Sequence, residues 1–195
     1  KKDIATIMGI EQYCLFRIGD AGFPLQQLQF SSPGENKFPN ADTGKLLQPS
    51  EWYHVAVVYD TEKKTAVIYV DGREQSRIED YGNGEPVNLG KQTRGSDFMF
   101  KIGHSYGEPD YMERQLDGEI CEVRVWNVAR SQQEIFDNMY NIEDPANTPG
   151  LQAYWKFNEG EGDIAKDYTG HGNDAKSYAK ATWPTGIEVT QKNKE

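Results

Sequence analysis

Apolar and polar side chains alternate in short runs along most of this chain. The clearest run is EWYHVAVVYDTEKKTAVIYVDGRE, from 51 to 74, where Tyr53, Val55, Val57 and Tyr59 share one face. After the polar TEKK, Ala66, Ile68 and Val70 repeat the pattern. A period of two predicts a β-hairpin, closed by an Asp71-Gly72 turn, a pair that tolerates positive φ. Further strands are predicted at TIMGIEQYCLFRI (6–18), LQQLQFSS (25–32), PVNLG (86–90), DFMFKIGHS (97–105), residues 116–127 and LQAYWKF (151–157), with a last strand near Trp183. Strands at intervals of about ten residues signal a sandwich or barrel rather than βαβ units. Trp52, Trp126 and Trp155 fall in these patterns and are expected in the core.

The pattern changes once. From Ser131 the apolar residues recur at helical spacing, with Ile135, Phe136 and Met139 forming a stripe. Ser131 followed by Glu134 is a capping box, so one short helix is predicted over about 131–140, laid across an edge or an end of the sandwich. The predicted class is all-β. One domain is expected over 1–195, with its core at about 7–183 and a tail from 184.

Composition narrows the function. The 19 Gly and 9 Pro fit a turn-rich β protein. A net charge of −10 argues against nucleic acid and anionic membranes, because a phosphate binder needs a basic stripe. No run approaches the roughly 18 apolar residues of a membrane span. Cys14 and Cys121 are too far apart for a CxxC site, leaving one long-range disulfide or two buried thiols. The chain opens on KKDIATIMGIE without Met and so reads as a mature or excised piece of a larger polypeptide. His54, His104 and His171 have no nucleophile motif around them, and no GxSxG, HExxH or phosphate loop is present.

Several segments, in order, carry a family resemblance: EWYHVAVVYD and KTAVIYVDG, then FKIGHSYG, then DGEICEVRVWNVARSQQEI and GLQAYWKFNEGEGDIAKDYTGHGNDA. Over roughly 7–183 this set resembles the concanavalin A-like lectin/glucanase superfamily, specifically its laminin G-like or pentraxin-like domains in bacterial surface proteins. The resemblance implies a two-sheet antiparallel jelly-roll sandwich, carbohydrate recognition as the commonest role, and calcium in some relatives. It also implies an extracytoplasmic location: secreted, periplasmic or on the cell surface. The YWKFNEGEG segment resembles the opening strand of some laminin G-like domains yet stands near the end here. The last strands are therefore expected to fill a sheet position left empty by the N-terminus, as a circular permutation would.

Glucanases of this superfamily place three acids at alternate positions of one strand. Here Glu119 would begin the set, but the next two positions are Cys121 and Val123, and Glu122 would face away from Glu119. The resemblance thus implies a domain that is not an enzyme, with Glu122 and Arg124 as a same-face ion pair. Relatives often hold calcium with an Asp where Cys121 stands. The oxygens left for calcium are those of Asp167, Asn173 and Asp174, in a segment that reads equally as a polar turn.

Sugars are bound by aromatic faces with amides, carboxylates and Arg reading the hydroxyls. The loop HSYGEPDYMERQ offers Tyr106, Glu108, Asp110, Tyr111 and Arg114, and IEDYGNGEPVN adds Tyr81 and Asn83. These are the expected ligand residues. The resulting reading is a non-catalytic glycan-binding or adhesion module. The alternatives are a protein-interaction or spacer domain and a glycoside hydrolase of unusual active site.

Overall fold

The computed structural model describes residues 4–20, 26–32, 47–91, 99–105, 114–177 and 182–183. The chain divides into two compact units, one formed by Lys1–Gly118 with Arg130–Phe136 and the other by Glu119–Ala129 with Asp137–Glu195.

The first unit contains two antiparallel sheets. Strands β1 (Ala5–Ile10), β2 (Cys14–Ile18), β3 (Leu28–Ser31) and β7 (Lys101–Ile102) form one, in the order β3-β2-β1-β7. The second is the meander β4 (Val55–Asp60), β5 (Thr65–Val70) and β6 (Arg73–Ile78). The alternation predicts the packing between them. Cys14, Phe16, Leu28 and Phe30 from the first sheet form one core with Ala66, Ile68 and Val70 from the second, and Val55, Val57 and Tyr59 pack against it. A Phe, Leu, Ile or Val side chain of this core contributes about 1.5–3 kcal/mol when fully buried. Tyr59 and Tyr81 meet edge to face at 5.9 Å, and Phe30 lies 6.1 Å from each.

Several strand expectations are corrected, and the strand expected at 97–105 is confined to Lys101–Ile102 among the described residues. The run 6–18 is two strands, because Gln12 adopts a φ of 60° and turns the chain between β1 and β2. Residues 86–90 are a turn in which Asn88 Oδ1 accepts from the Gly90 N–H, with Val87 as a packing residue. The Asp71-Gly72 turn joins β5 to β6, a strand too polar for alternation to reveal, while TEKK closes the β4–β5 hairpin. Gly72 is needed at that turn. Its φ is +68°, and a Cβ there would stand 2.7 Å from the Phe136 ring.

The helix α1 (Gln132–Asp137) is shorter than expected but is capped as predicted. The Ser131 N–H donates to Glu134 Oε2 at 2.8 Å and the Glu134 N–H to Ser131 Oγ at 3.3 Å. Ile135 packs on Val67 and Tyr69, so α1 covers the outer face of the meander rather than an edge or an end.

In the second unit β8 (Val123–Trp126) pairs with β9 (Leu151–Trp155), and β10 (Ile164–Ala165) pairs with β11 (Ala175–Lys176). The strand expected over 116–127 is thus confined to its last third, and Glu122 has a φ of 56°. Glu119 lies outside the strand, so the two acids are not on opposite faces of one ladder. Both cysteines are free thiols, and burial pushes Cys14 up to about 12. No helix among the described residues is long and apolar enough to cross a membrane.

Candidate functional site

The two faces of the four-stranded sheet differ in chemistry, and the alternation of β2 and β3 explains why. Phe16 pairs with Phe30 on the core face, while the next pair along, Arg17 with Gln29, projects to the other side. Thr6 pairs with Arg17 and Lys101 with Gly9 on that same side, and Gln27 immediately precedes β3. The face is polar yet closed. Thr6 and Gln29 are 0% exposed, Arg17 3%, Glu11 6%, Gln27 7% and Lys101 8%.

Part of this network is internally satisfied. The Arg17 guanidinium pairs with Asp20 and donates to Gln29 Oε1 at 3.4 Å. Burial pulls Arg17 below its ordinary range, and the carboxylates of Asp20 and Glu11 act to restore it. Arg114 donates to Glu11 Oε1 at 2.8 Å, Thr6 Oγ1 to Ser105 Oγ at 3.0 Å, and Lys101 Nζ to the Ser105 carbonyl at 3.4 Å. Beside Lys101, burial lowers His104 to about 4, so its imidazole is neutral at pH 7. Among the described residues, Glu11 Oε2, Gln27 Oε1 and Gln29 Nε2 are buried without a hydrogen-bond partner. A buried polar atom left unpaired costs about 1–3 kcal/mol.

The sequence-expected ligand residues are placed differently. Tyr106, Glu108, Asp110 and Tyr111 lie outside the described residues. Arg114 reaches the polar face through Glu11. Tyr81 is corrected: it is 1% exposed and its hydroxyl donates to the Phe30 carbonyl at 3.2 Å, so its ring has no open face for a sugar. Asn83 Oδ1 accepts from the Glu85 N–H at 3.0 Å, a turn within its own loop. Trp52, expected in the core, is 45% exposed.

Asp167, Asn173 and Asp174 do come together, in the second unit, and as a hydrogen-bonded turn. Asp167 accepts from the N–H groups of Tyr154, Thr169 and Asn173 at 3.0–3.1 Å and from Thr169 Oγ1 at 2.7 and 2.8 Å. Asp174 Oδ1 accepts from the Asp167 N–H at 2.8 Å, and Asn173 Nδ2 donates to the Gln152 carbonyl at 2.9 Å. Burial works against the Asp167 charge, but the bonds from Thr169, Tyr154 and Asn173 outweigh it and hold the carboxyl below its usual range. Among the described residues no three His, Cys, Asp or Glu side chains are grouped to hold a metal ion. The expected ion pair is present but half-buried: Arg124 donates to Glu122 Oε2 at 2.5 Å, and the Tyr154 hydroxyl shares that oxygen.

Residues 3–136 match a laminin G family whose description is the concanavalin A-like lectin/glucanases superfamily. The chain belongs to that superfamily. Membership carries the two-sheet jelly-roll architecture, with which the antiparallel sheets and the short helix α1 agree. A crystal structure from Bacteroides ovatus, of a protein provisionally named as carbohydrate-binding, is 34% identical with a TM-score of 0.69. The match covers 92% of this chain and 50% of that one, so the chain spans about half the length of its relative. An S-layer domain-containing protein of Clostridium thermocellum is 17% identical with a TM-score of 0.31, over 70% of this chain and 63% of that one. No curated protein matches.

The superfamily includes glucanases, whose retaining mechanism needs two carboxyls about 5–5.5 Å apart. On β8 and its approach the candidate acids are spoken for or misplaced: Glu122 is held by Arg124 and Tyr154, and Glu119 lies outside the strand. Sequence reasoning missed the polar sheet face. The sequence signal is weak: Arg17 interrupts the apolar run CLFRI, but Gln29 stands in LQQLQFSS, a run that reads as half solvent-facing.

Proposed function

We propose that this chain is a non-catalytic carbohydrate-binding module of a larger extracytoplasmic polypeptide. The observation that carries the reading is the 34% identity, across 92% of the chain, to the Bacteroides ovatus protein provisionally named as carbohydrate-binding. Superfamily membership supports it. A net charge of −10 turns the reading away from strongly anionic polymers. The engagement of Glu122 and the absence of acids at positions 121 and 123 support the lack of hydrolysis.

The test is a glycan array probed with the whole chain, with calcium and again with chelator, alongside a reducing-end assay on the polysaccharides that bind. Selective binding without release of reducing ends is the expected result. A blank array with folded protein would turn the reading toward a protein-interaction or spacer role, and released reducing ends would make the chain a hydrolase.

A further inference from the structure

The segment between α1 and β9 is polar and held at several points. Arg124 Nη1 donates to the Met139 carbonyl at 3.1 Å, and Ile142, 4% exposed, packs on Leu151 and Tyr154. Lys156 Nζ donates to Asn141 Oδ1 at 3.4 Å. The 3-10 turn at Pro145–Asn147 is closed by Asn147 Nδ2, which donates to both carboxylate oxygens of Asp144, and by Thr148 Oγ1, which donates to the Asp144 carbonyl at 2.6 Å. These fixed points frame a cleft of about 470 Å³ whose lining includes Asp137, Tyr140, Asn141, Glu143, Asp144 and Thr148. That volume lies within the range of small-molecule sites, roughly 300–1,000 Å³. Tyr140 and Thr148 are half-buried, while Asn141, Glu143 and Asp144 are open to solvent.

We propose that this cleft is the sugar site, with the Tyr140 ring as its apolar wall and Asn141, Asp144 and Thr148 reading neighbouring hydroxyls of a ring that carries no anion. This rests on the carbohydrate reading above. The bonds already made decide what each group still offers. Asn141 has its oxygen occupied by Lys156, which sets the sense of the amide and leaves Nδ2 to donate. Each Asp144 oxygen holds one bond and accepts another, and Thr148 Oγ1 has given its hydrogen and only accepts. A donor beside acceptors suits adjacent hydroxyls, each of which donates one hydrogen and accepts in return. Because these groups are pinned before a ligand arrives, little side-chain freedom is lost on binding. Charge sets the selectivity. Asp137, Glu143 and Asp144 place three carboxylates around the cleft, and none of its described lining residues is basic. Lys156 is engaged by Asn141 and by the rings of Tyr154 and Tyr168. A uronic or sulfated sugar therefore meets like charge. The cleft begins where the family match, residues 3–136, ends, so its lining is a property of this chain and not of the matched family segment.

The experiment is calorimetric titration of the whole chain with neutral gluco-, manno- and galacto-oligosaccharides and with oligogalacturonate of matched length. Tyr140→Ala, Asn141→Ala and Glu143→Gln are titrated beside the parent, thermal unfolding is recorded for each, and hydrogen exchange of the parent is measured with and without its tightest sugar. Tyr140→Ala and Asn141→Ala are each expected to lose roughly tenfold in affinity for the neutral sugar. Glu143→Gln, at an exposed side chain, is expected to narrow the gap between neutral sugar and oligogalacturonate by about threefold. Amides within residues 137–148 should exchange more slowly in the complex. Undiminished binding by both alanine variants, or slowed exchange confined to other segments, would overturn the assignment and leave the carbohydrate reading standing. Where an alanine variant unfolds, the exchange footprint of the parent decides. An unchanged gap in Glu143→Gln would overturn the charge selectivity. Failure of the parent to bind any sugar would overturn both the site and the reading beneath it.

Discussion

The polar face of the four-stranded sheet and the Asp167 turn are both buried and both rich in charge and amide, yet they are finished differently. At Asp167 each oxygen has its donors, drawn from backbone and from a hydroxyl within a few residues. On the sheet face the ion pairs are complete while one carboxylate oxygen, one amide oxygen and one amide nitrogen are left over. A polar cluster that closes on itself serves the fold. One that closes only in part costs stability.

The sharpest way to break the contrast is Asp167→Ala, which takes the shared acceptor from the N–H and O–H donors of Tyr154, Thr169 and Asn173 together. We expect a loss of about 4 kcal/mol in denaturant unfolding; an unchanged midpoint would erase the distinction. Its pH dependence follows from sign. The folded Asp167 carboxyl titrates lower than the unfolded one, so its contribution is complete above about pH 4 and is lost as pH falls through the folded value. The gap between parent and Asp167→Asn should narrow in acid and stay constant near neutrality.

Arg17→Met tests the completed part of the sheet face. Removing one partner of a buried pair should cost about 3 kcal/mol, since Asp20 and Glu11 lose a cation. A smaller step is Tyr154→Phe. Its hydroxyl, with a pKa pushed up to about 12 by burial and by Glu122, leaves Arg124 to hold Glu122 alone, and about 1 kcal/mol should be lost. The smallest effect is expected from calcium. Because the Asp167 oxygens already accept from N–H and O–H groups, chelator should leave the unfolding midpoint where it was; a calcium-dependent rise would show that the turn can rearrange into a cation site.

Much of the first unit is legible in the chain. Val55–Tyr59 and Ala66–Val70 read as strands because they are short β-branched and aromatic runs, packed on the core by one face and around Ile135 by the other, and the Ser131–Glu134 cap is a local device that needs no tertiary knowledge. What was not legible depended on distant partners. β6 reads as polar because much of it is exposed, and Tyr81 reads as a loop aromatic because only the fold brings Phe30 and Tyr59 to it. The sheet face escaped for the same reason: Arg17 and Gln29 look like solvent-facing positions until something buries both sides of the sheet.

The register of the sheets also bears on the order in which the chain assembles. The meander β4–β5–β6 joins strands through turns of four and two residues, whereas β1 meets β7 by pairing Met8 with Ile102. Closing so long a loop costs more entropy than closing a hairpin, and slow steps track such distant contacts. In pulse-labelled hydrogen exchange, amides of residues 55–78 should therefore gain protection first, and those of β1 facing β7 among the last.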